Sequence, residues 1–146
     1  MSSTIINHEQ SEYWNKKYGH KWVDNDNSMN ERLTILTKAL FLKTNIEEGD
    51  KVLDIGCGGG QTSYEASQLV GESGYVLGAD ISNLLLDLAK SKYAKIKNLD
   101  FKNCDAENFS KSKFSASQFL KSKFFIFEYL LFAKSNKRLE ISAPNT

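Results

Sequence analysis

Apolar positions follow two rhythms along this chain. Across residues 29–43, Leu33, Leu36 and Leu40 recur at near-helical spacing, which predicts a helix. Ser28 followed by Glu31 has the form of a capping box, in which two side chains satisfy opening N–H groups reciprocally. Ahead of it, Tyr13, Trp14, Tyr18 and Trp22 punctuate a polar segment over 9–23, where a short helix docked through its rings is expected. From Lys51 the rhythm changes. Residues 51–55, 75–79 and 99–103 read as short strands bounded by turn-forming residues. Between them, residues 62–70 are helix-compatible and stop at Gly71. Ile81, Leu84, Leu85 and Leu88 form an i, i+3, i+4, i+7 stripe behind Ser82, a natural helix cap. Strand, helix, strand, helix, strand with short connections predicts an α/β fold with a doubly wound parallel sheet and right-handed crossovers.

Composition narrows the function classes. The 146 residues suit one domain, with 40% hydrophobic and 25% charged side chains. Nineteen basic against 18 acidic groups leave a net charge of +1, which argues against a protein built to grip nucleic acid. Cys57 and Cys104 lack any ligand spacing, so neither a disulfide scaffold nor a metal site is expected. The opening MSSTIINHEQSEYWNKK has no apolar run, so no secretory signal is expected and a cytoplasmic setting is the default. The longest apolar stretch, residues 124–133, contains Glu128 and falls well short of the ~20 residues a membrane span needs.

The candidate chemistry lies at the strand ends. Ligands of open parallel sheets sit beyond the carboxyl ends of the strands. There the chain carries Asp54 to Gly60, Asp80 to Ser82, and Asp105 to Glu107. Three successive strand ends, each with an acid, suggest one ligand lying across all three. A dinucleotide loop wants glycine at its first, third and sixth positions; Gly56 and Gly58 comply, but the sixth is Gln61. Asp54, immediately ahead of the loop, is unfavourable beside a pyrophosphate and favourable beside an amino group. S-adenosylmethionine suits this pattern better than NAD, because it carries an ammonium, a carboxylate and a sulfonium but no phosphate. On this reading Asp54 faces the ammonium and the backbone of Gly56, Cys57, Gly58 and Gly59 meets the carboxylate. Asp80 grips the ribose and Ile81 packs on the adenine. Asp105 accepts from the adenine amine while Ala106 offers its N–H. Gln61, Thr62 and Ser82 complete the candidate set. Cys57 is a small loop residue without a histidine nearby, so no nucleophilic role is expected.

In order and spacing, VLDIGCGGG, GADIS and CDAENF resemble the class I S-adenosylmethionine-dependent methyltransferases, over about residues 10–109. The resemblance implies a seven-stranded sheet with helices on both faces, and cofactor contacts at Asp54, Gly56, Gly58, Asp80 and Asp105. It also implies that Tyr13 and Trp22 belong to a lid, and that the acceptor is a small molecule. Catalysis in such sites is largely positioning for in-line displacement, so no catalytic residue is assigned. A non-catalytic S-adenosylmethionine-binding module is the alternative reading, and an NAD-dependent oxidoreductase a weaker one.

The chain changes character near Phe109. Residues 1–109 hold 12 basic and 16 acidic groups, a net of −4; residues 110–146 hold 7 and 2, a net of +5. All nine glycines precede residue 79, and six of nine phenylalanines follow residue 109. Residues 1–45 are therefore expected to be a helical lid segment, 46–109 the cofactor half of the domain, and 110–146 an atypical Lys/Phe-rich tail. In the tail, Phe119, Lys123, Phe127 and Leu130/Leu131 form a helix-like stripe. Completing the sheet would take on the order of 85 residues, given ~30 per βα unit. The 37 that follow Phe109 predict an incomplete sheet, from truncation or a shifted reading frame, and a chain that turns over no substrate.

Overall fold

The computed structural model describes residues 5, 7–107 and 123–126. Three helices open the chain: α1 (His8–Asn15), α2 (Lys17–Asp24) and α3 (Asp26–Thr44). β1 (Lys51–Ile55), α4 (Gln61–Val70), β2 (Tyr75–Asp80), α5 (Asn83–Lys92) and β3 (Leu99–Asn103) then alternate, and β4 (Lys123–Ile126) follows. The four strands form one all-parallel sheet in the order β3-β2-β1-β4. The chain thus winds outward from β1 to β3 and returns to the other side of β1. That reversal is a topological switch point, where a crevice opens at the carboxyl edge.

The sheet buries both faces, as parallel sheets do. On one, Val52, Val76 and Leu99 pack with Ala66 and Val70 of α4, flanked by Phe41, Tyr64, Tyr93 and Phe101. On the other, Leu53, Leu77, Ala79 and Cys104 come together. The period-two alternation of Val52/Leu53 and Val76/Leu77 decides which face each side chain reaches. Ser82 caps α5 as expected, its hydroxyl accepting the Leu85 N–H at 3.2 Å. Gly71 stands at the C-cap of α4 with φ 65°.

Three expectations change. The aromatic N-terminal segment forms two helices, broken at Lys16. The third helix begins at Asp26, capped by Asn25 without a side-chain bond. Ser28 lies inside it, donating to the Asn25 carbonyl at 3.2 Å, so the Ser28/Glu31 pair is not the cap. A tertiary contact sets this start: Asp26 is buried and ion-paired with Lys92 of α5. Residues 123–126 form a strand in register with β1, from Val52↔Lys123 to Ile55↔Ile126, where the stripe had predicted helix. Pairing with a central strand overrides local periodicity there. Phe119, Phe127 and Leu130/Leu131 lie outside the described residues.

Candidate functional site

The site begins with a turn that hangs from β2. The N–H groups of Gly56 and Cys57 both donate to the Ala79 carbonyl, at 2.7 and 3.1 Å. The Gly58 N–H donates to Asp80 Oδ2 at 2.8 Å, and the Ser82 N–H to Asp80 Oδ1 at 2.8 Å. Asp80 therefore ties the glycine loop to the start of α5 and fixes the two strand ends relative to each other. Burial raises the Asp80 carboxyl above its ordinary range, opposed by the backbone N–H groups of Ser82, Gly58 and Ile81.

Gly60 closes the loop and is the N-cap of α4, with φ 85°. A Cβ there would stand 2.7 Å from the Phe101 ring and 2.9 Å from the Ala89 methyl. Close packing of α4 against β3 and α5 thus demands glycine. Gly60 has no side chain to cap the helix, so the opening N–H groups of α4, at Gln61 and Thr62, receive no capping bond from it. With four loop N–H groups (Gly56, Cys57, Gly58, Gly60) engaged internally, donor capacity for a ligand concentrates at Gly59 and these two.

Asp54 lies beneath the loop at the end of β1, 1% exposed. Its Oδ2 accepts from Ser63 Oγ at 2.6 Å, while its Oδ1 has no partner. Burial lifts its pKa to about 7; the Ser63 hydroxyl opposes the shift and the Asp80 charge adds to it. A buried acid with one unsatisfied oxygen favours a neighbouring positive charge. Cys57 is buried beside the same two acids, and burial, then Asp80 and Asp54, push its thiol well upward. That environment suppresses the thiolate and any nucleophilic role.

A cleft runs between this loop and the N-terminal helices. Gly56, Cys57, Gly58, Gly59, Gln61, Thr62, Asp80 and Leu85 line one side; Trp14, Trp22, Asn30, Leu33 and Thr37 line the other. Of the two residues expected in a lid, Trp22 lines the cleft. Tyr13 does not line the cleft: it stacks on Tyr18 at 4.0 Å and is 39% exposed. Trp14, in edge contact with Trp22 at 6.3 Å, occupies the wall instead. Gln61 lines the cleft by position, but its amide is engaged with Glu65 at 2.9 Å and the Tyr93 hydroxyl at 2.9 Å.

Asp54, buried beneath the loop, does not line the cleft, nor do Ile81, Ser82, Asp105 and Ala106. Ser82 Oγ donates to the Trp14 carbonyl at 2.9 Å, and Asp105 Oδ2 accepts the Asn7 N–H at 2.7 Å. Helix α1 covers these strand ends. Asn30, Leu33 and Thr37 escaped sequence reasoning, because their helix carries no motif and only its docking brings them opposite the loop. Ser63 had a signal: it stands seven residues beyond Gly56 on the first turn of the helix behind the loop. Among the described residues, no group of three metal-type ligands converges and no helix is long and apolar enough to cross a membrane.

A family model described as "Methyltransferase domain" matches residues 46–126, more than half of the chain. The chain belongs to the class I S-adenosylmethionine-dependent methyltransferases. Its methyltransferase domain is 49% identical over 59 residues to a probable cobalt-precorrin-6B C(15)-methyltransferase (decarboxylating) of Saccharolobus solfataricus, covering 40% of this chain and 30% of that one. It is 40% identical over 58 residues to a ubiquinone/menaquinone biosynthesis C-methyltransferase of Francisella philomiragia, covering 40% and 23%. A solved complex between the Haloferax volcanii Trm112 methyltransferase activator and a methyltransferase matches at TM-score 0.52 and 28% identity, over 59% of this chain and 37% of that one. The methyltransferase chain thus spans less than a third of the length of these curated relatives.

S-adenosylmethionine is the cofactor of this family, and the residues fit it. The orphaned Asp54 Oδ1 calls for positive charge near the loop. A Cβ at Gly58 would meet nothing within 4 Å, so the loop faces open space. The uncapped start of α4 suits a carboxylate. When bound, S-adenosylmethionine supplies a methyl group on a sulfonium.

Proposed function

We propose that this chain provides the S-adenosylmethionine-binding half of an enzyme that methylates a small-molecule acceptor. The observation that carries the reading is the cleft itself. The glycine loop and Asp80 face Trp22, Leu33 and Thr37 across it, which supports a donor whose reactive end is covered by that wall and is not on an open surface. A narrow roofed site suits a small acceptor better than a folded macromolecule. Relatives named for cobalt-precorrin and menaquinone methylation support the same class.

Within this reading, Asp54 faces the cofactor's ammonium, and Gly59, Gln61 and Thr62 receive its carboxylate through backbone N–H groups. Asp80 holds the ribose. Ile81, Asp105 and Ala106 form the adenine end, with Ser82 supporting it. Trp22 and Trp14 belong to the lid.

The test is transfer of radiolabelled methyl from S-adenosylmethionine in a metabolite, protein and RNA extract of the source cells. Label in the low-mass organic fraction would bear out the small-acceptor reading and would overturn the expectation, drawn from residues 110–146, that the chain turns over no substrate. Label confined to protein or RNA would overturn the small-acceptor reading. Cofactor binding with no transfer to any fraction would favour the binding-module alternative.

A further inference from the structure

We infer that helix α1 is a latch over the adenine end of the cofactor cleft, and that adenine and the Asn7 N–H compete for the Asp105 carboxylate. The inference rests on the proposed role of Asp105 as the adenine contact.

Helix α1 lies across the carboxyl ends of β2 and β3 and is tied at both of its own ends. At its start, the Asn7 N–H donates to Asp105 Oδ2 at 2.7 Å, and the Asn7 side-chain amide to Glu107 Oε1 at 3.0 Å. The other Asp105 oxygen accepts the Glu107 N–H at 3.1 Å. Asp105 is 1% exposed beneath these partners. An adenine amine therefore reaches that carboxylate only when the start of α1 lifts away. At its far end, Asn15 Oδ1 accepts the Leu84 N–H at 3.2 Å, and Ser82 Oγ donates to the Trp14 carbonyl at 2.9 Å. These bonds lie over Ile81 and Ser82, the remainder of the same subsite.

The holding forces are of the kind that release. No residue of α1 is fully buried, so the helix is seated by these polar ties together with the edge contact of Trp14 on Trp22, and not by a share of the sheet's core. Elements held this way open at a small fraction of the global unfolding cost. Trp14 on α1 lines the cleft and Asp105 does not. The amino-acid end of the cofactor thus meets a preformed site, while its adenosine end displaces the latch. The N–H of Asn7 becomes a gate that sets the apparent affinity, because only the unlatched fraction is competent.

Hydrogen exchange of the full chain with and without S-adenosylhomocysteine tests this directly. Exchange of the α1 amides should rise on binding, and should rise with adenosine but not with methionine. Asn7→Pro, which removes the competing N–H, should bind S-adenosylhomocysteine about three- to tenfold more tightly. Asn7→Ala, which keeps the N–H but, like Asn7→Pro, loses the Glu107 tie and the N-cap bond to the Gln10 N–H, should gain less. Binding with unchanged or increased protection of α1, or affinity unaltered by Asn7→Pro, would overturn the latch alone. Failure of the native chain to bind S-adenosylhomocysteine would overturn the cofactor reading and the latch together. If Asn7→Pro fails to fold by circular dichroism, the exchange measurement on the native chain decides.

Discussion

Ser63 Oγ lies 2.6 Å from Asp54 Oδ2, a fully buried pair that joins the first turn of α4 to the end of β1. The bond answers half of what a buried carboxylate requires and leaves the other oxygen unpartnered. Burial dominates the balance, so the acid ionises at about pH 7 instead of near 4.

The pH dependence of stability follows. A carboxyl whose pKa is raised on folding favours the fold in its neutral form. Its contribution is complete below about pH 4 and is lost as pH rises through about 7. Thermal melts of the native chain should therefore fall in Tm between pH 5 and pH 8, and Asp54→Asn should remove most of that slope. Cofactor affinity should move the other way. With Asp54 proposed to face the cofactor's ammonium, its ionised form favours that ligand, so S-adenosylmethionine should bind more tightly at pH 8 than at pH 5.5. Binding near pH 6.5 should release a proton, detectable by calorimetry in buffers of different ionisation enthalpy.

Removing the hydroxyl partner sharpens the same point. Ser63→Ala leaves both Asp54 oxygens unsatisfied, at a cost of about 1–3 kcal/mol. It should lower Tm at pH 8 more than at pH 5, where the acid is neutral, and shift the titration of Asp54 upward. An equal loss at both pH values would mean that the bond does not act through the charge.

Gly60→Ala should destabilise the fold by about 2–4 kcal/mol, from backbone strain at φ 85° together with contact against Phe101 and Ala89. Urea unfolding measures the loss. Gly58→Ala offers a contrast, because its Cβ meets open space. Its stability loss should be smaller, and the larger effect should appear in cofactor affinity.

Much of the sheet and the loop was legible because local signals agreed. Lys51–Ile55 and Leu99–Asn103 were delimited correctly, and β2 by one residue less than its full length. The start of α3 was not, because burial of Asp26 against Lys92, 66 positions away, leaves no local mark. Residues 123–126 read as helix because Lys-Phe-Phe-Ile carries no period of its own; the neighbour β1 makes it a strand. In the site, the three acid clusters were readable from strand ends. The wall of Asn30, Leu33 and Thr37 was not, since it depends on how α3 docks. Nor was the cover over Asp105, which comes from a backbone N–H at Asn7, a group that every residue but proline carries.

Asp80 accepts the Gly58 and Ser82 N–H groups and lines the cleft, where it is proposed to hold the ribose. Asp80→Ala should weaken S-adenosylmethionine binding by ~1.5–3 kcal/mol, the scale of hydrogen bonds to a charged partner. An unchanged dissociation constant would remove Asp80 from the site.

Calorimetric titration of the full chain with S-adenosylhomocysteine and with NAD tests the central claim most directly. The loop lacks glycine at its sixth position, Gln61, and stands over a buried carboxylate with one unsatisfied oxygen, so it favours an amino-acid end over a pyrophosphate. S-adenosylhomocysteine should bind with one-to-one stoichiometry, and NAD should produce no binding heat. Binding of NAD as tightly as S-adenosylhomocysteine, or no binding of S-adenosylhomocysteine, would contradict the account.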